Sequence, residues 1–337
     1  MSTATHVPET SRFGREELSA DDARATLRHV GLRRLAVDSF RRFRYGDGFT
    51  SARALGFQFV LAFIPLVIAA VGLSSTVQTR KLARALQETL LSLTPGSTGD
   101  AVKQALGKGL SQGGGGGGRL ALTVGLLTAL AALATSMGQI ERGANRIYGV
   151  QRDRPTRAKY TRAVLLMLTA GLPAMLGFLL LVAGGQLLDS LHDAYGWGST
   201  TTTALQWLRW PVGALLDLVA IAALFKWAPR RRQPGLSWLA VGAGLALVLW
   251  LVFTAALAYY LGSSSSFGQV YGPLTGIIAL LLWSQLTATA LLLGLAFGAQ
   301  LEALRAGVPA PVTEDPERRR GAASDPVVVL APEGSRR

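Results

Sequence analysis

The 337-residue sequence has no cysteine, only three histidines, and charged residues at just 16% of its positions. Without cysteine, disulfides, thiol catalysis and cysteine-ligated metals are excluded. The low charge, together with 50% hydrophobic residues, excludes disorder over most of the chain, because disordered segments are polar and highly charged. A soluble domain carries about 25% charged residues, so the composition does not indicate an ordinary soluble enzyme.

The sequence is rich in long apolar segments. A helix that crosses the ~30 Å hydrocarbon core of a bilayer needs about 20 mostly apolar residues. Six segments meet this requirement, and they are apolar on all sides, as is typical of lipid-exposed helices. The sequence therefore predicts an all-α, polytopic membrane protein with six transmembrane helices: Ala54–Ser74, Leu120–Gln139, Ala163–Leu188, Gln206–Trp227, Leu236–Leu261 and Pro273–Gln300.

The distribution of positive charge predicts the orientation of these spans. Of the 34 Lys and Arg residues, 27 lie before span one, after span six, or in the loops after spans two and four. By the positive-inside rule both termini are cytoplasmic, and 75–118, 189–205 and 262–272 lie outside. The formal net charge of +14 is thus mainly a topology signal.

Three regions follow along the chain. Residues 1–53 form a basic cytoplasmic arm in which 1–25 are expected to be disordered. Leu27–Phe43 alternates apolar residues with arginines, which predicts an interfacial helix on the anionic inner leaflet, where each Lys or Arg contributes about 1 kcal/mol. A solvated charged helix is the alternative. Residues 54–300 form the membrane domain, and 301–337 read as a disordered cytoplasmic tail. No apolar signal-peptide segment precedes span one, so that span should be an uncleaved anchor.

The outer segment 75–118 is the one sizeable loop. Leu82, Leu86, Leu90 and Leu93 share one helical face that ends before Pro95. The pattern predicts a helical hairpin between spans one and two, followed by a glycine linker over 113–118.

No catalytic, cofactor or metal site is expected. His6 and His29 precede span one, and His192 is predicted to lie outside, so the three histidines cannot meet. No H-x-H, H-E-x-x-H or G-x-S-x-G pattern occurs. Nucleic acid is not an expected partner, because the basic residues are divided among the inner segments as topology requires. The sequence thus predicts a protein that is not an enzyme.

Polar residues inside the spans are the candidate functional residues. Asp217 lies near the middle of span four, where a charge costs about 2.5–3.5 kcal/mol on insertion scales. It is either a functional group that faces a cavity or a protonated acid bonded to another helix. Gln58 in span one and Gln285 in span six are neutral candidates of the same kind, although such residues often only join helices.

Prolines and glycines indicate how the spans bend and pack. Pro65, Pro173 and Pro273 are expected to break or bend spans one, three and six, around a cavity if there is one. Gly294-x-x-x-Gly298 is a close-packing motif. It could join spans within one chain or between two copies, so a homo-oligomer stays open.

Several motifs resemble those of one family. They are the run Ala54–Pro65; Asn145-Arg-Ile-Tyr-Gly-Val150, which contains Tyr148 and Gly149; the segment that ends at Pro229; and Tyr271-Gly272. In this order they resemble the YihY/BrkB family of bacterial inner-membrane proteins. The resemblance implies six helices in the inner membrane, with transport or lipid export as a common suggestion. The family often reads Gly-Ala-Glu-Leu-Asn-Ala at the end of span six, where Ala296 and Gly298 are expected to replace Glu and Asn.

The leading functional hypothesis is a transporter or permease-like bundle for an unknown small molecule or lipid. Its cavity would lie among spans one, three, four and six, with Gln58, Asp217 and Gln285 as polar contacts. The alternative is a non-transporting scaffold or lipid-organising protein that acts through its basic inner face. A membrane-bound ribonuclease, an activity once assigned to the family, is a third hypothesis that the missing nuclease motifs disfavour.

Overall fold

The computed structural model describes residues 6–9, 18–76, 117–150, 154–196, 198–263 and 274–307, and within these ranges it is helical with no strand. A π-helical turn, Met167–Gly171, joins two of the helices into one continuous span. The helices in this part of the chain are α1 (Ala20–Val30), α2 (Leu32–Tyr45), α3 (Gly48–Thr76), α4 (Gly117–Tyr148), α5 (Thr156–Leu166), α6 (Leu172–Val182), α7 (Gly184–Tyr195), α8 (Ser199–Trp227), α9 (Leu236–Ser263) and α10 (Thr275–Arg305).

Six helical segments are long and apolar enough to cross a membrane, which confirms the predicted all-α fold with six spans. Their bounds agree with the sequence prediction to within several residues at each end. Most inner ends extend further than predicted, because polar residues continue the helix beyond the apolar window. The six segments are Gly48–Ala69, Leu122–Tyr148, Arg157–Val182, Thr200–Trp227, Leu236–Ser263 and Thr275–Arg305.

The six spans pack as a closed ring. α3 packs against α4 and α10, α4 contacts α5, α6 packs against α8, α8 against α9, and α9 against α10. Each span therefore meets its neighbours in chain order, and span six returns to span one. Spans that are consecutive in sequence are thus also adjacent in space, as is usual in helix bundles.

Spans five and six approach most closely where glycine replaces a side chain. A Cβ atom added to Gly294 would lie 2.5 Å from the Ala246 Cβ and 2.6 Å from the Gly242 carbonyl oxygen. At Gly298, by contrast, the nearest atom is the Gly242 Cα, at 4.0 Å. Gly294 of the predicted motif therefore packs against α9 of the same chain, and this face of α10 is not available for a contact between two copies.

The prolines do not break the spans as predicted. Pro65 lies inside the continuous helix α3, so of the predicted break or bend the break does not occur there; membrane helices tolerate proline where neighbouring helices compensate for the lost hydrogen bond. Pro173 lies in the first turn of α6, directly after the π-helical turn. Its missing N–H is accommodated by a change of helical pitch, and the span continues. Pro273 lies outside the described residues.

The flanking segments depart from the predicted boundaries. Residues 20–25 belong to α1 rather than to a disordered arm, because α1 packs against α9 and α10. The predicted basic helix is interrupted at Gly31, whose φ of 82° ends α1 and begins α2. Span six continues to Arg305, so residues 301–305 are not part of a tail. The outer hairpin predicted within 75–118 lies almost entirely outside the described residues.

The described segments that the sequence placed in the cytoplasm meet at one end of the ring. Arg231 bonds to the Val7 and Pro8 carbonyls, Arg154 to those of Ala228 and Pro229. We call this the basic end: residues 6–9, α1, α2, residues 149–150 and 154–155, the connection at 228–235, and the end of α10. The N-terminal segment and the end of span six thus lie at the same end of the bundle.

Candidate functional site

Asp217 is buried between spans three and four, with 6% of its surface exposed. A Cβ added to Gly177 of α6 would lie 2.5 Å from the Asp217 Oδ1 and 2.9 Å from the Gly213 carbonyl. Two glycines therefore bring the backbones of α6 and α8 together around this carboxylate. Within the described residues Asp217 makes no hydrogen bond or ion pair, which is unusual for a buried acid.

The helix beside Asp217 changes pitch. The π-helical turn Met167–Gly171 contacts α8, and α6 follows it with Gly177 one and a half turns later. Single π-helical turns inside α-helices are frequent at functional sites, because they widen the helix locally and redirect its side chains. The described part of span three therefore combines an irregular turn and a glycine contact on the side that faces Asp217.

Aromatic rings join spans three, five and six next to this position. The Phe178 ring lies 5.9 Å from that of Trp250 and 5.3 Å from that of Trp283, between ring centroids. The Trp283 Nε1 donates to the Thr254 hydroxyl over 3.3 Å. Because Phe178 follows Gly177 directly, this cluster lies at the same depth as the Asp217 carboxylate.

Gln58 and Gln285 have different surroundings. The Gln58 amide donates to the Thr135 hydroxyl and lies 3.5 Å from the Ala132 carbonyl oxygen, both on α4. Gln285 lies against Gly56, where an added Cβ would be 3.2 Å from the Gln285 Oε1. These contacts join span one to spans two and six. They do not connect either glutamine to Asp217, whose contacts are with span three.

A buried polar cluster lies at the basic end. The Arg42 Nε donates to the Gln300 Oε1 over 2.8 Å, and the Arg231 Nη2 donates to the Glu302 Oε1 over 2.5 Å. The Arg231 guanidinium also stacks on the Tyr148 ring, 4.5 Å from its centroid. Tyr148 lies beside Gln233 and interacts electrostatically with Arg42, Arg231 and Glu302. We call these residues the basic-end cluster: Arg42, Tyr148, Arg231, Gln233, Gln300 and Glu302.

Burial has an electrostatic consequence at Arg42, which is 1% exposed. Burial lowers the pKa of the Arg42 guanidinium to about 10, and the neighbouring positive charge of Arg231 acts in the same direction. Glu302 and Asp38 partly oppose this effect. Arg42 remains a cation at neutral pH, so α2 brings a permanent positive charge into the protein interior.

Most of the motif residues lie near this cluster. The Asn145 Oδ1 accepts from the Arg230 backbone N–H over 2.8 Å, and the Pro229 carbonyl accepts from the Arg154 Nη2 over 3.1 Å. Gly149 ends α4 with a φ of 71°, a backbone conformation that favours glycine. These residues connect the end of span two to the loop between spans four and five. Tyr271 and Gly272 lie outside the described residues.

Sequence reasoning missed the charged members of the cluster for two reasons. Arg42 and Arg231 were counted as topology charges, and nothing in their local sequence separates them from exposed arginines. Glu302 falls in the predicted tail, because the apolar stretch of span six ends at Gln300, and the family pattern at the end of this span is predicted four residues too early. Gly298-Ala-Gln-Leu-Glu-Ala303 matches Gly-Ala-Glu-Leu-Asn-Ala at four of six positions, so Gln300 and Glu302, not Ala296 and Gly298, occupy the polar positions.

A six-span helical bundle with a buried carboxylate in one span defines an integral, multi-pass membrane protein. The chain belongs to the Virulence factor BrkB family, whose model matches residues 39–320. It is 23% identical over 257 residues to the "Putative ribonuclease-like protein YfkH" of Bacillus subtilis, covering 76% of this chain and 90% of that protein. It is 26% identical over 273 residues to a "UPF0761 membrane protein" of Xanthomonas campestris, which covers 79% of this chain but only 60% of the relative. No solved structure matches this chain.

Proposed function

We propose that this protein is a transporter-like bundle for an unidentified small molecule or lipid, located in the bacterial inner membrane. The observation that carries the proposal is Asp217, a buried acid at mid-span with no polar partner within the described residues. A membrane protein retains such a group against an insertion cost of about 2.5–3.5 kcal/mol. The group is therefore best explained by a role in binding or moving a polar species.

The irregular helix beside Asp217 supports the proposal. The adjacent π-helical turn departs from regular α-helical geometry, and Gly177 and Gly213 place no side chain of their own between spans three and four. Transporters use irregular helices near mid-depth in the same way. Gln58 and Gln285 hold span one to its neighbours and would form the static side of the ring.

The orientation is part of the proposal. Exposed arginines surround the basic end, and the positive-inside rule places such an end in the cytoplasm. Both the N-terminal segment and the end of span six would then be cytoplasmic. We further propose a non-enzymatic role without a cofactor, so the ribonuclease-like name of the B. subtilis relative is not carried over to this chain.

The test uses a deletion strain of the source bacterium, complemented in turn with three forms of the gene. They encode the wild type, Asp217→Asn and Asp193→Asn; the last makes the same chemical change at an exposed acid on α7. Untargeted metabolite and lipid profiles are compared at equal protein abundance in the membrane. We expect Asp217→Asn to reproduce the profile of the deletion strain and Asp193→Asn to restore that of the wild type. Full restoration by Asp217→Asn would remove this residue from the function.

A second candidate function, a lipid-organising scaffold, is favoured by the outward face of α2. Leu35, Ser39 and Phe43 are buried, with Arg42 bonded to Gln300 of α10. The opposite face exposes Val37 and Phe40 in the midst of arginines. Phe40 also meets Phe49 of span one with ring centroids 6.1 Å apart, which supports a position of this face at the membrane surface. The surrounding exposed arginines are Arg33, Arg34, Arg41 and Arg44.

An arginine-and-aromatic surface of this kind fits anionic lipid headgroups. The test replaces Arg33, Arg34, Arg41 and Arg44 with Gln, and compares hydrogen exchange of α2 in nanodiscs of phosphatidylcholine with and without phosphatidylglycerol. We expect the anionic lipid to slow exchange in the wild type but not in this variant. A control variant replaces four exposed arginines outside α2 with Gln: Arg142, Arg157, Arg230 and Arg232.

Complementation then separates the two functions. If the protein is a scaffold, the variant with Gln at Arg33, Arg34, Arg41 and Arg44 should not complement the deletion strain, whereas Asp217→Asn should. If it is a transporter, Asp217→Asn should not complement the deletion strain. Equal exchange of α2 in both lipids would exclude anionic lipid as the partner of this face.

A further inference from the structure

Asp217 has no cation near it on its own helix. Arg209 precedes it by eight residues and Lys226 follows it by nine. Because a helix rises 1.5 Å per residue, each of these side chains starts at least ~12 Å away along the axis. Arg209 donates instead to the Leu180 and Leu181 carbonyl oxygens at the end of α6, and Lys226 lies at the basic end. Neither of these cations neutralises the carboxylate.

The helices that pack against α8 bring no charged group to this depth either. These neighbours are α6, α7, α9 and the π-helical turn. The π-helical turn and α6 contain no titratable side chain. α9 contains only Tyr259 and Tyr260, which are exposed. An added Cβ at Gly244 would lie 3.8 Å from the Leu218 Cδ1, so Tyr259, fifteen residues further along α9, lies roughly 22 Å beyond the depth of Asp217.

The titratable groups of α7 and α5 lie at the two ends of α8. Asp189 of α7 accepts from the Gln206 Nε2 over 2.6 Å, eleven residues or about 16 Å before Asp217. Arg162 of α5 donates to the Trp227 carbonyl over 3.1 Å, ten residues after it. Three further titratable residues of α7 follow Asp189 in the chain: His192, Asp193 and Tyr195. Within the described residues, Asp217 is thus the lone titratable group at its depth between these helices.

An ionised carboxylate in this position would be a buried charge without a counterion. Asp217 is 6% exposed, and the backbone of α6 packs against its Oδ1 at Gly177. A carboxylate isolated in apolar surroundings costs far more free energy than a neutral carboxylic acid, and in proteins such a group is neutralised. Since no fixed cation does this among the described residues, the neutralising species is a bound cation or a proton.

The side chains around Asp217 are poor ligands for a metal cation. Such ions need several oxygen ligands, about six to eight for Ca²⁺. The π-helical turn offers only the Thr169 hydroxyl, which donates to the Leu165 carbonyl over 2.8 Å, and α6 offers no polar side chain. The Thr254 hydroxyl of α9 accepts from the Trp283 Nε1. A proton needs no ligand other than the carboxylate itself.

We propose that the polar species bound at Asp217 is a proton, which makes this residue the coupling site of a proton-driven transporter. The proton adds to one carboxylate oxygen and gives a neutral acid, the form that fits the contact with Gly177. Its release leaves a charge between α6 and α8, which favours a conformation in which Asp217 meets water. Transport rests on the proposed function, whereas proton binding at Asp217 can be measured by itself.

The first experiment treats the purified full-length protein with dicyclohexylcarbodiimide, an apolar reagent that adds to carboxyl groups in their protonated form. Peptide mass spectrometry gives the labelled fraction of each acid. We expect labelling of Asp217 at neutral pH and loss of most of it in alkaline buffer. Chlorides of sodium, potassium, magnesium and tetramethylammonium at equal ionic strength should not change the labelled fraction. Protection by one of these ions would overturn the proposal in favour of that cation.

Two acids of the same chain are internal controls. The Glu141 side chain is 1% exposed but lies 2.9 Å from the Arg154 Nη1, so it is buried with a cationic partner. Asp193 is exposed on α7 and therefore hydrated. Neither should be labelled, and Asp217→Asn should remove the label from its peptide. Labelling of Glu141 equal to that of Asp217 would overturn the proposal, because burial alone would then explain the reaction.

The second experiment is infrared difference spectroscopy, which needs no reagent to reach the site. We expect the wild type at neutral pH to show a carbonyl band of a protonated carboxylic acid that disappears reversibly in alkaline buffer. Asp217→Asn should lack this band. Identical difference spectra of the wild type and Asp217→Asn would overturn the proposal whatever the labelling shows.

Complementation of the deletion strain separates this proposal from the proposed function. If the band is present and Asp217→Asn complements fully, the proton site stands and the transport function fails. If Asp217→Asn does not complement and the band is absent from the wild type, the proposed function stands and the proton is excluded as the species that Asp217 binds.

Discussion

Replacing Gly294 with alanine tests the tightest contact between spans five and six. The new Cβ would lie 2.5 Å from the Ala246 Cβ, 2.6 Å from the Gly242 carbonyl oxygen and 2.9 Å from the Ala246 Cα. Two of these atoms are backbone and the third is fixed to it, so no side-chain rotation relieves the clash. α9 and α10 must separate, and overpacking of this kind costs about 1–3 kcal/mol.

Gly298→Ala is the matched control, one helical turn further along α10. The atom nearest to its added Cβ is the Gly242 Cα at 4.0 Å, an ordinary van der Waals contact. We expect this variant to be neutral within about 0.5 kcal/mol. The two variants thus differ only in the distance between the new methyl group and α9.

Equilibrium unfolding by dodecyl sulfate in mixed micelles measures the difference in free energy between the two variants. Combining Gly294→Ala with Ala246→Gly should restore part of the lost free energy of unfolding, because Ala246→Gly removes the Cβ that lies nearest to the new methyl group. The close-packing argument fails if Gly294→Ala is as stable as Gly298→Ala. It also fails if Ala246→Gly lowers the stability of both backgrounds equally.

Two further predictions concern charged groups. The side chains of Arg231 and Glu302 are only 3% and 1% exposed. Glu302→Gln leaves the buried Arg231 guanidinium without its carboxylate partner and should lower the free energy of unfolding by about 3–5 kcal/mol. In the same dodecyl sulfate titration, Arg231→Met combined with Glu302→Met should lose less than the sum of the single variants; simple additivity would exclude the pair as a unit. The pKa of Asp22 lies below its ordinary value of 3.8, because the Ser19 backbone N–H and hydroxyl donate to it. A carboxylate whose pKa is lower in the folded than in the unfolded state stabilises the start of α1 at any pH above the unfolded-state pKa. This stabilisation is lost as the pH falls through the folded-state pKa. The hydrogen-exchange protection factors of α1, corrected for the intrinsic rate at each pH, should therefore fall in acid for the wild type but not for Asp22→Asn.

How much of the fold could be predicted depends on the range of the interactions. The six spans follow from apolar stretches of about 20 residues, a property of each stretch alone. Their ends were less predictable. Glu302 and Arg305 continue span six because α2 and the 228–235 connection cover this turn, a contact that local hydropathy does not show. The π-helical turn in span three is likewise visible only with its neighbours in place.

The candidate site divides in the same way. Asp217 could be found from the sequence, because one acid in an apolar stretch is conspicuous, but its contact with Gly177 could not. Gln58 and Gln285 satisfied the same sequence criterion, yet their neighbours are Thr135 and Gly56. A single sequence shows that a polar residue is in the membrane, and not which helix it faces.

The sequence by itself determined the six helices and the end of the bundle that carries the positive charge, because hydrophobicity and charge act segment by segment. The tertiary structure decided which of those charges are buried. Arg42 meets Gln300 across 258 positions of sequence, and Arg231 meets Glu302 across 71. Exposed and buried arginines look the same in sequence. Only the packing of the helices, which brings span six back to span one, shows which arginines are exposed and which belong to the basic-end cluster.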